Sequence, residues 1–321
     1  MAFSVSTLVD YVEEMKGALI LQTIQGARTL KDCGVTIRPG IKNSEMINIL
    51  DSNAEFQSDG GCSYNTSGTT TFTQRAITVS KIMVSETLCP EDLEVKYTQY
   101  AVQPGGTHDK LPFAEHIINQ KLQYVNRNLE NAIWQGETDH TWNTNFKQFD
   151  GWISVITAAT DEVAGNTSGA TSITATNILS LIEDMYSAAP ARILNKPKVT
   201  LFMGNDNFRL LTIAMRRANL FHYDADNANF MMKFPGFPDN FNICACPGLN
   251  AANHAALPTS YQNRMFMTYP ENLYFGTDLQ NEYEKFDYWF SKDDQNIKSI
   301  IRFKAGCQVG ITSDIVSYIN A

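Results

Sequence analysis

The strongest periodic pattern in the chain is a stripe of apolar residues at steps of four and three before Gly136. Its members are Ala114, Ile118, Leu122, Val125, Leu129 and Ile133. Pro112 suits a first helical turn and Gly136 favours a helix end, so the pattern predicts an amphipathic helix over 112–135. The opposite face is polar. One side of this helix is therefore expected to lie on a sheet, and the other to meet water or a neighbour.

Shorter apolar runs predict strands on both sides of this helix. Residues 71–87 place β-branched and aromatic residues among polar ones, which predicts one strand and half of a long hairpin. Residues 198–203 and the segment NICAC (242–246) are typical of buried strands. Three further strand-like runs after residue 270 are linked by polar turns.

Four shorter helices are predicted, over residues 5–16, about 89–100, 177–189 and 208–219. Thr176 is the expected N-cap of the third, and Asn205 or Asp206 of the fourth. The second would begin with a Pro and two acidic residues, which suit a first turn.

The segments around the first strand hold little apolar surface. Residues 17–50 are extended and broken by turns, and residues 56–72 form an exposed stretch rich in Gly, Ser and Thr. An arm of this kind cannot fold alone, so it is expected to lie on its own body or on a neighbour.

The composition narrows the class of protein. Of 321 residues, 43% are hydrophobic, but only 18% are charged, below the usual ~25%. A surface poor in charge suits burial against other subunits, although compositional drift explains it equally well.

The net charge of −9 argues against tight binding of nucleic acid. No run approaches the ~18–20 apolar residues of a membrane span, and the start lacks a basic secretory signal, so we expect a cytosolic product.

Motifs for catalysis or metal binding are missing from the sequence. The six cysteines are scattered, and we expect them to be buried free thiols. Cys244 and Cys246 would share one face of a strand, but a zinc site would need two more ligands. The acidic residues Glu282, Glu284 and Asp287 are interpreted as a solvated face. The sequence therefore predicts no catalytic residue, no metal ligand and no cofactor.

The order of elements and three segments carry a resemblance to a known family. The segments are AIWQGETDHTWNTNFKQFDGWISVI (132–156), NKPKVTLFMGNDNFRLL (195–211) and YWFSKDDQNIKSIIRFKAGCQVGITSDIVSYI (288–319). In this order the chain resembles a major capsid protein of a tailed bacteriophage with the Hong Kong 97 (HK97) fold. The likeness covers nearly the whole chain as an order of elements and is weak residue by residue.

The resemblance implies an α+β, HK97-like capsid fold in five parts. They are an N-terminal arm (1–50), an extended β-loop, or E-loop, with its return (51–105), a peripheral domain with a long spine helix (106–149), an axial domain (150–265), and closing strands shared by both domains (266–321). The segment after Gly136 would cross from the spine helix to the axial domain. Aromatic residues would pack this junction, namely Trp134, Trp142, Phe146, Phe149 and Trp152. A plain loop between two ordinary domains would pack in the same way.

The function implied by the resemblance is structural and not enzymatic. The chain would self-assemble into pentamers and hexamers of an icosahedral shell around double-stranded DNA, in the host cytoplasm, and end in the virion. Its expected partners are other copies, a separate scaffolding protein, a portal and decoration proteins. It would contact the DNA only weakly and would contact no membrane. Arm and loop would lie over adjacent subunits, with interface candidates Phe3, Tyr11, Phe72, Arg75, Ile77, Lys81 and Arg127.

Three alternatives remain open from the sequence. An encapsulin-like shell has the same fold but encloses a cargo enzyme, so the contents of purified particles would separate the two. A monomeric hydrolase with a carboxylate pair in a cleft would elute as a small species with turnover. A tail-tube or decoration protein would form rings or surface knobs.

Overall fold

The computed structural model describes residues 27–53, 55–56, 68–89, 113–139, 144–165, 172–219, 231–234, 236–250, 264–278 and 286–318. The helix predicted over 5–16 lies outside these ranges. So does the helix predicted over 89–100, apart from its first residue.

The described helices include the long one that the apolar stripe predicts. Their bounds are α1 (Arg28–Asp32), α2 (Phe113–Gln135), α3 (Trp152–Ala159), α4 (Ile178–Ala188), α5 (Ala191–Leu194) and α6 (Asn205–Arg217). In α2 the stripe from Leu122 to Ile133 is buried, as its spacing predicts. The spine helix is thus confirmed to within a residue at each end.

The described strands form two larger sheets and one two-stranded ribbon. Their bounds are β1 (Thr36–Arg38), β2 (Ser44–Asn53), β3 (Thr69–Thr78), β4 (Ser80–Leu88), β5 (Val163–Ala164), β6 (Val199–Met203), β7 (Met231–Lys233), β8 (Phe241–Ala245), β9 (Met265–Thr268), β10 (Leu273–Thr277), β11 (Phe286–Ser291), β12 (Asn296–Val309) and β13 (Val316–Tyr318).

The first sheet is organised around the 14-residue strand β12. The sheet has the order β1-β10-β12-β11, and β4 also pairs with β12. β12 runs antiparallel to β4 from Ile297 to Ala305, and antiparallel to β10 from Ala305 to Val309. Helix α2 packs on this sheet through its apolar stripe, and the two share one hydrophobic core.

The second sheet has the order β5-β13-β9-β6-β8-β7, and its central strands are buried on both faces. Every residue of β6 is buried, which explains the continuous apolar run in its sequence. Alternate residues serve two cores: Leu201 and Met203 join the core under α4 and α6, whereas Phe202 faces α2 and α3. The buried strands predicted at 198–203 and 242–246 are confirmed.

The long hairpin predicted near residue 71 is present, but its strands differ from the prediction. The run 71–87 is not one strand, because it breaks at Val79 into β3 and β4, which belong to different sheets. The hairpin partner of β3 is β2, paired from Ser44 with Thr78 to Asn53 with Thr69. The hairpin therefore starts inside the segment predicted as arm. We call β2 and β3 together the ribbon.

Two predicted N-caps are wrong, and both helices show why. Asn177, not Thr176, occupies the N-cap position of α4, and its Oδ1 accepts a hydrogen bond from the Thr174 N–H at 2.7 Å. Helix α6 begins at Asn205, three residues earlier than predicted, with Gly204 as its N-cap. Its first turn is capped from a distant segment, since the Asp206 N–H donates to Asn250 Oδ1 at 3.2 Å.

The cysteine prediction is also partly wrong. Cys33 and Cys244 form a disulfide across 211 positions of sequence, while Cys246 and Cys307 are buried free thiols and Cys89 is an exposed one. The pairing arises because α1 packs against the end of β8, and no spacing in the sequence reveals such a tertiary approach.

The junction between α2 and the second sheet is closed by aromatic packing and by a close backbone approach at Gly136. The Trp134 ring lies 4.9 Å from Trp152, and Phe146 and Phe149 are buried beside them, whereas Trp142 lies outside the described residues. A Cβ on Gly136 would lie 2.5 Å from the carbonyl oxygens of Ala132 and Phe149. Gly136 therefore ends the helix by allowing close backbone approach, and the predicted packing of the junction is confirmed for its described aromatics.

Among the described helices, none has the length and apolar character needed to cross a membrane.

Candidate subunit interface

The outer face of the ribbon exposes apolar side chains. Along β2 the buried Ile47 alternates with Met46 and Leu50, which point the other way. Leu50 is paired across the strands with Phe72, and the two side chains are 59% and 74% exposed. Two large apolar side chains directly opposite each other on an exposed strand pair are an unpartnered contact surface.

The root of the ribbon is fixed to the first sheet by a small core of its own. Ile41, Ile47, Ile77 and Val79 form this cluster. The Gln308 amide donates to the Ala76 carbonyl at 2.7 Å, which adds a polar tie. The ribbon is therefore a projection anchored at one end on the rigid sheet, and its apolar outer face lies beyond that anchor.

A groove lies on the same chain between β4, α2 and the segment 144–149, with a volume of about 650 Å³. Exposed Met83 and Tyr124 stand on two of its walls, and the buried Leu129 and Phe149 also line it. Asn128 and Gln148 contribute polar groups to the lining. An apolar groove with a few polar groups suits an inserted apolar segment.

One wall of this groove carries an ion pair that joins α2 to β4. Lys121 pairs with Glu86, and its Nζ also donates to Ser299 Oγ at 3.0 Å. Burial lowers the pKa of Lys121 to about 8, because the ammonium is largely withdrawn from water. A partly desolvated lysine on α2 therefore links this helix to β4 at the groove wall.

A buried carboxylate connects α1 to α2 behind the groove. Glu130 accepts hydrogen bonds from the Thr29 N–H at 2.9 Å and from the Thr29 hydroxyl. Burial raises the pKa of Glu130, against the opposing effect of these hydrogen bonds. The Trp134 Nε1–H donates to Thr29 Oγ1 at 2.9 Å, so the three side chains form one buried network. We interpret its role as positioning α1.

The interface candidates from the sequence fall in different environments. Phe72 is exposed on the ribbon, Lys81 on β4, and Arg127 on α2, where its guanidinium lies 4.9 Å from the Tyr124 ring centre. Arg75 is half-buried and donates to Thr312 Oγ1 of its own chain at 2.9 Å. Phe3 and Tyr11 lie outside the described residues.

Ile77 needs correction as an interface candidate. Its side chain is 0% exposed and belongs to the ribbon's root cluster. The side chain is already buried within its own chain, so it has no free area for a neighbour. The alternation of residues along β3 separates the two faces of the strand. It does not show which of these faces is covered by the rest of the chain.

Sequence reasoning missed four exposed apolar residues of this surface, namely Met46, Leu50, Met83 and Tyr124. A signal for the first two exists in EMINIL (45–50), where alternate residues face opposite sides of a strand. The same stretch also fits an extended arm, so the sequence alone does not single out this surface. For Met83 and Tyr124, exposure depends on how β4 meets α2.

The sequence and the fold were compared with those of known proteins. The model of the family described as SU10 major capsid protein matches residues 89–237. No curated protein matches the sequence. Solved structures match over most of the chain, and their identities are so low that they speak for the fold alone.

Three of these structures illustrate the likeness. A chain of Gordonia phage Cozz superposes with a TM-score of 0.59 at 10% identity, covering 89% of this chain and 84% of the other. The satellite phage P4 procapsid, including size determination (Sid) protein, gives 0.56 at 10% identity, covering 94% and 98%. The capsid of Myoviridae phage XM1 gives 0.56 at 13% identity, covering 91% and 92%.

The projecting ribbon, the long helix on a sheet and the central mixed sheet thus make up an α+β capsid fold of the HK97-like type. The SU10 major capsid protein model covers a little under half of the chain, so this match and the fold together show a likeness to phage major capsid proteins.

Proposed function

We propose that copies of this chain assemble, in the host cytoplasm, into the pentamers and hexamers of an icosahedral shell around double-stranded DNA. The net charge of −9 fits a wall that contacts DNA only weakly. The role is structural and non-enzymatic. A scaffolding protein, a portal and decoration proteins remain the expected partners. The SU10 family match favours a phage shell over the encapsulin-like alternative.

The observation that carries this proposal is the exposed apolar outer face of the ribbon. Leu50 and Phe72 are exposed on the ribbon, whose root is anchored by its own buried cluster. Their natural occupant is a neighbouring copy, and the groove beside Met83 and Tyr124 offers that copy an apolar receptor. Ribbon and groove are different surfaces, so the contact is head-to-tail and closes into rings when the rotation allows.

The parts of the chain are proposed to have different roles in assembly. The ribbon acts as the E-loop, α2 and the first sheet form the peripheral domain, and the second sheet with α4 and α6 forms the axial domain at the ring centre. A complete contact between two copies, with arm and ribbon, would bury on the order of 2,000 Å² or more.

The double substitution Leu50→Ser with Phe72→Ser is expected to abolish assembly and to leave the isolated chain folded. Both side chains are exposed within the chain, so their loss removes contact area only from the assembly. Burying each in a neighbour is worth about 1.5–3 kcal/mol, and this loss recurs at every copy of the contact. Electron microscopy and gel filtration of the expressed protein would measure particles against free chains.

The matched control is Thr73→Ser, an exposed residue on the opposite face of the same strand. It should form particles in wild-type yield. Normal particles from the double variant would refute the role of the ribbon face, whereas loss of the fold in the double variant would contradict its exposure.

A mixing experiment tests the head-to-tail arrangement itself. A groove variant, Met83→Ser with Tyr124→Ser, keeps its ribbon, and the ribbon variant keeps its groove. Mixed together, they are expected to form a 1:1 dimer that cannot grow, because the two surfaces left over are both defective. Ultracentrifugation would detect the dimer in the mixture and in neither variant alone. Dimers of either variant alone would indicate a self-complementary contact and refute the arrangement.

A further inference from the structure

Three cysteine sulfurs converge in the buried space between α1 and β8. The Sγ atoms of Cys33, Cys244 and Cys246 lie within 4.8 Å of one another, and all three residues are buried. Cys33 is bonded to Cys244, and the Cys246 Sγ lies 3.6 Å from the Cys33 Sγ. That distance is van der Waals contact between sulfurs, so a free thiol rests against a disulfide.

The chain positions all three sulfurs through rigid elements. Cys33 follows α1, which is held by the hydrogen bonds of Thr29 to Glu130. Cys244 lies in β8, and Cys246 comes just after it, where its N–H donates to the Met203 carbonyl at 2.8 Å. Residues two apart in an extended chain face the same side, so both sulfurs point toward Cys33.

We propose that these residues form a thiol–disulfide exchange site, in which Cys33 is bonded alternately to Cys244 and to Cys246. In the exchange, Cys246 gives up its proton and its sulfur attacks the Cys33 sulfur. The bond from Cys33 to Cys244 breaks, and the Cys244 sulfur leaves with the electron pair and takes up the proton that Cys246 released. The step is redox-neutral, so it needs no further reagent.

The first disulfide needs an oxidant, and a small-molecule disulfide such as oxidised glutathione suffices. It takes two electrons from two of the protein thiols and becomes two thiols itself. A pocket of about 280 Å³ lined by Asp32, Cys33 and Gly34 adjoins the site. Exchange would transfer the disulfide of Cys33 from Cys244 to Cys246. The two residues are two positions apart, which is about 6.6 Å along an extended backbone.

A metal ion is the competing occupant of three convergent sulfurs. A closed structural zinc site takes four protein ligands, and no fourth Cys, His, Asp or Glu joins this group in the part of the chain that the structure describes. The disulfide also occupies two of the three sulfurs. The geometry therefore favours exchange over metal binding.

The test is disulfide mapping of the purified chain after equilibration with oxidised and reduced glutathione. Acid quenching and alkylation trap the free thiols, and peptide fragmentation locates which of Cys244 and Cys246 is alkylated. Acid protonates any remaining thiolate and so stops exchange before the linkages are mapped. We expect the wild type to yield both linkages to Cys33.

Three single substitutions test which cysteines take part in the exchange. Cys244→Ser should lose the Cys33–Cys244 linkage entirely and replace it with Cys33–Cys246, and Cys246→Ser should show only Cys33–Cys244. Cys307→Ser, a buried thiol outside the cluster, should leave the wild-type pattern unchanged. The wild-type map is informative even if a variant fails to fold.

Two results would overturn the proposal. One is a wild-type map in which Cys246 is always free and Cys33 is bonded to Cys244 alone. The other is about one equivalent of zinc in the purified protein, with all three thiols protected from alkylation until a chelator is added.

Discussion

Replacing Trp134 with alanine is expected to destabilise the chain by about 3–5 kcal/mol, the range for a buried Trp. The Trp134 side chain is fully buried at the end of α2, where its ring packs against Trp152, Phe202 and Phe266. It also donates its indole N–H to Thr29. The substitution would leave a cavity between both sheets and remove one hydrogen bond. Since domains are stable by only about 5–15 kcal/mol, this loss is a large fraction of the total, and the variant should unfold at a clearly lower urea concentration.

Urea denaturation of unassembled chain would measure the effect, with two controls. Trp289→Ala removes the same side chain from a position that is 39% exposed, and should cost less than about 1 kcal/mol. Trp134→Phe keeps a ring in the cavity and should fall between the two. Equal losses at Trp134 and Trp289 would show that the junction is not the central packing unit of the fold.

Elements fixed by local pattern could be predicted from the sequence. Helix α2 and strand β6 follow from spacing and from continuous apolar character, because both signals lie in adjacent residues. The N-caps of α4 and α6 could not be predicted in the same way. The first turn of α6 is capped by Asn250, which lies 44 residues away from Asp206.

The candidate interface was only partly within reach of sequence reasoning. Phe72 was identified from its strand, but its cross-strand partner Leu50 was missed because the pairing of β2 with β3 joins segments assigned to different parts. The face of Ile77 was likewise undetermined until the ribbon root was placed on the sheet. Cys33 and Cys244 show the same limit, since their bond depends on contacts across 211 positions.

The second large effect is expected at the base of the ribbon. Gly306 of β12 and Gly276 of β10 are directly paired. Because neither has a side chain, they leave a trough on the surface of the first sheet, and the ribbon root lies in this trough. A Cβ on Gly306 would collide with the Thr78 carbonyl oxygen and would lie 3.1 Å from the Val79 Cα. These are backbone atoms at the turn from β3 to β4, so they cannot rotate away. Gly306→Ala should therefore force the ribbon root off the sheet, at about 3 kcal/mol or more.

Gly276→Ala is the matched control, because the three atoms nearest its Cβ would be side-chain ends, those of Ile77, Ile41 and Val79 at 2.9–3.0 Å. Such atoms can shift by a few tenths of an ångström, so we expect about 1 kcal/mol or less. The unfolding free energy and the rate of proteolysis within the ribbon would be measured for both variants. Faster cleavage in Gly306→Ala alone would locate the damage at the ribbon root. If both alanines are tolerated equally, the ribbon is not held by this trough, and its direction toward a neighbouring copy must be set in the assembly instead.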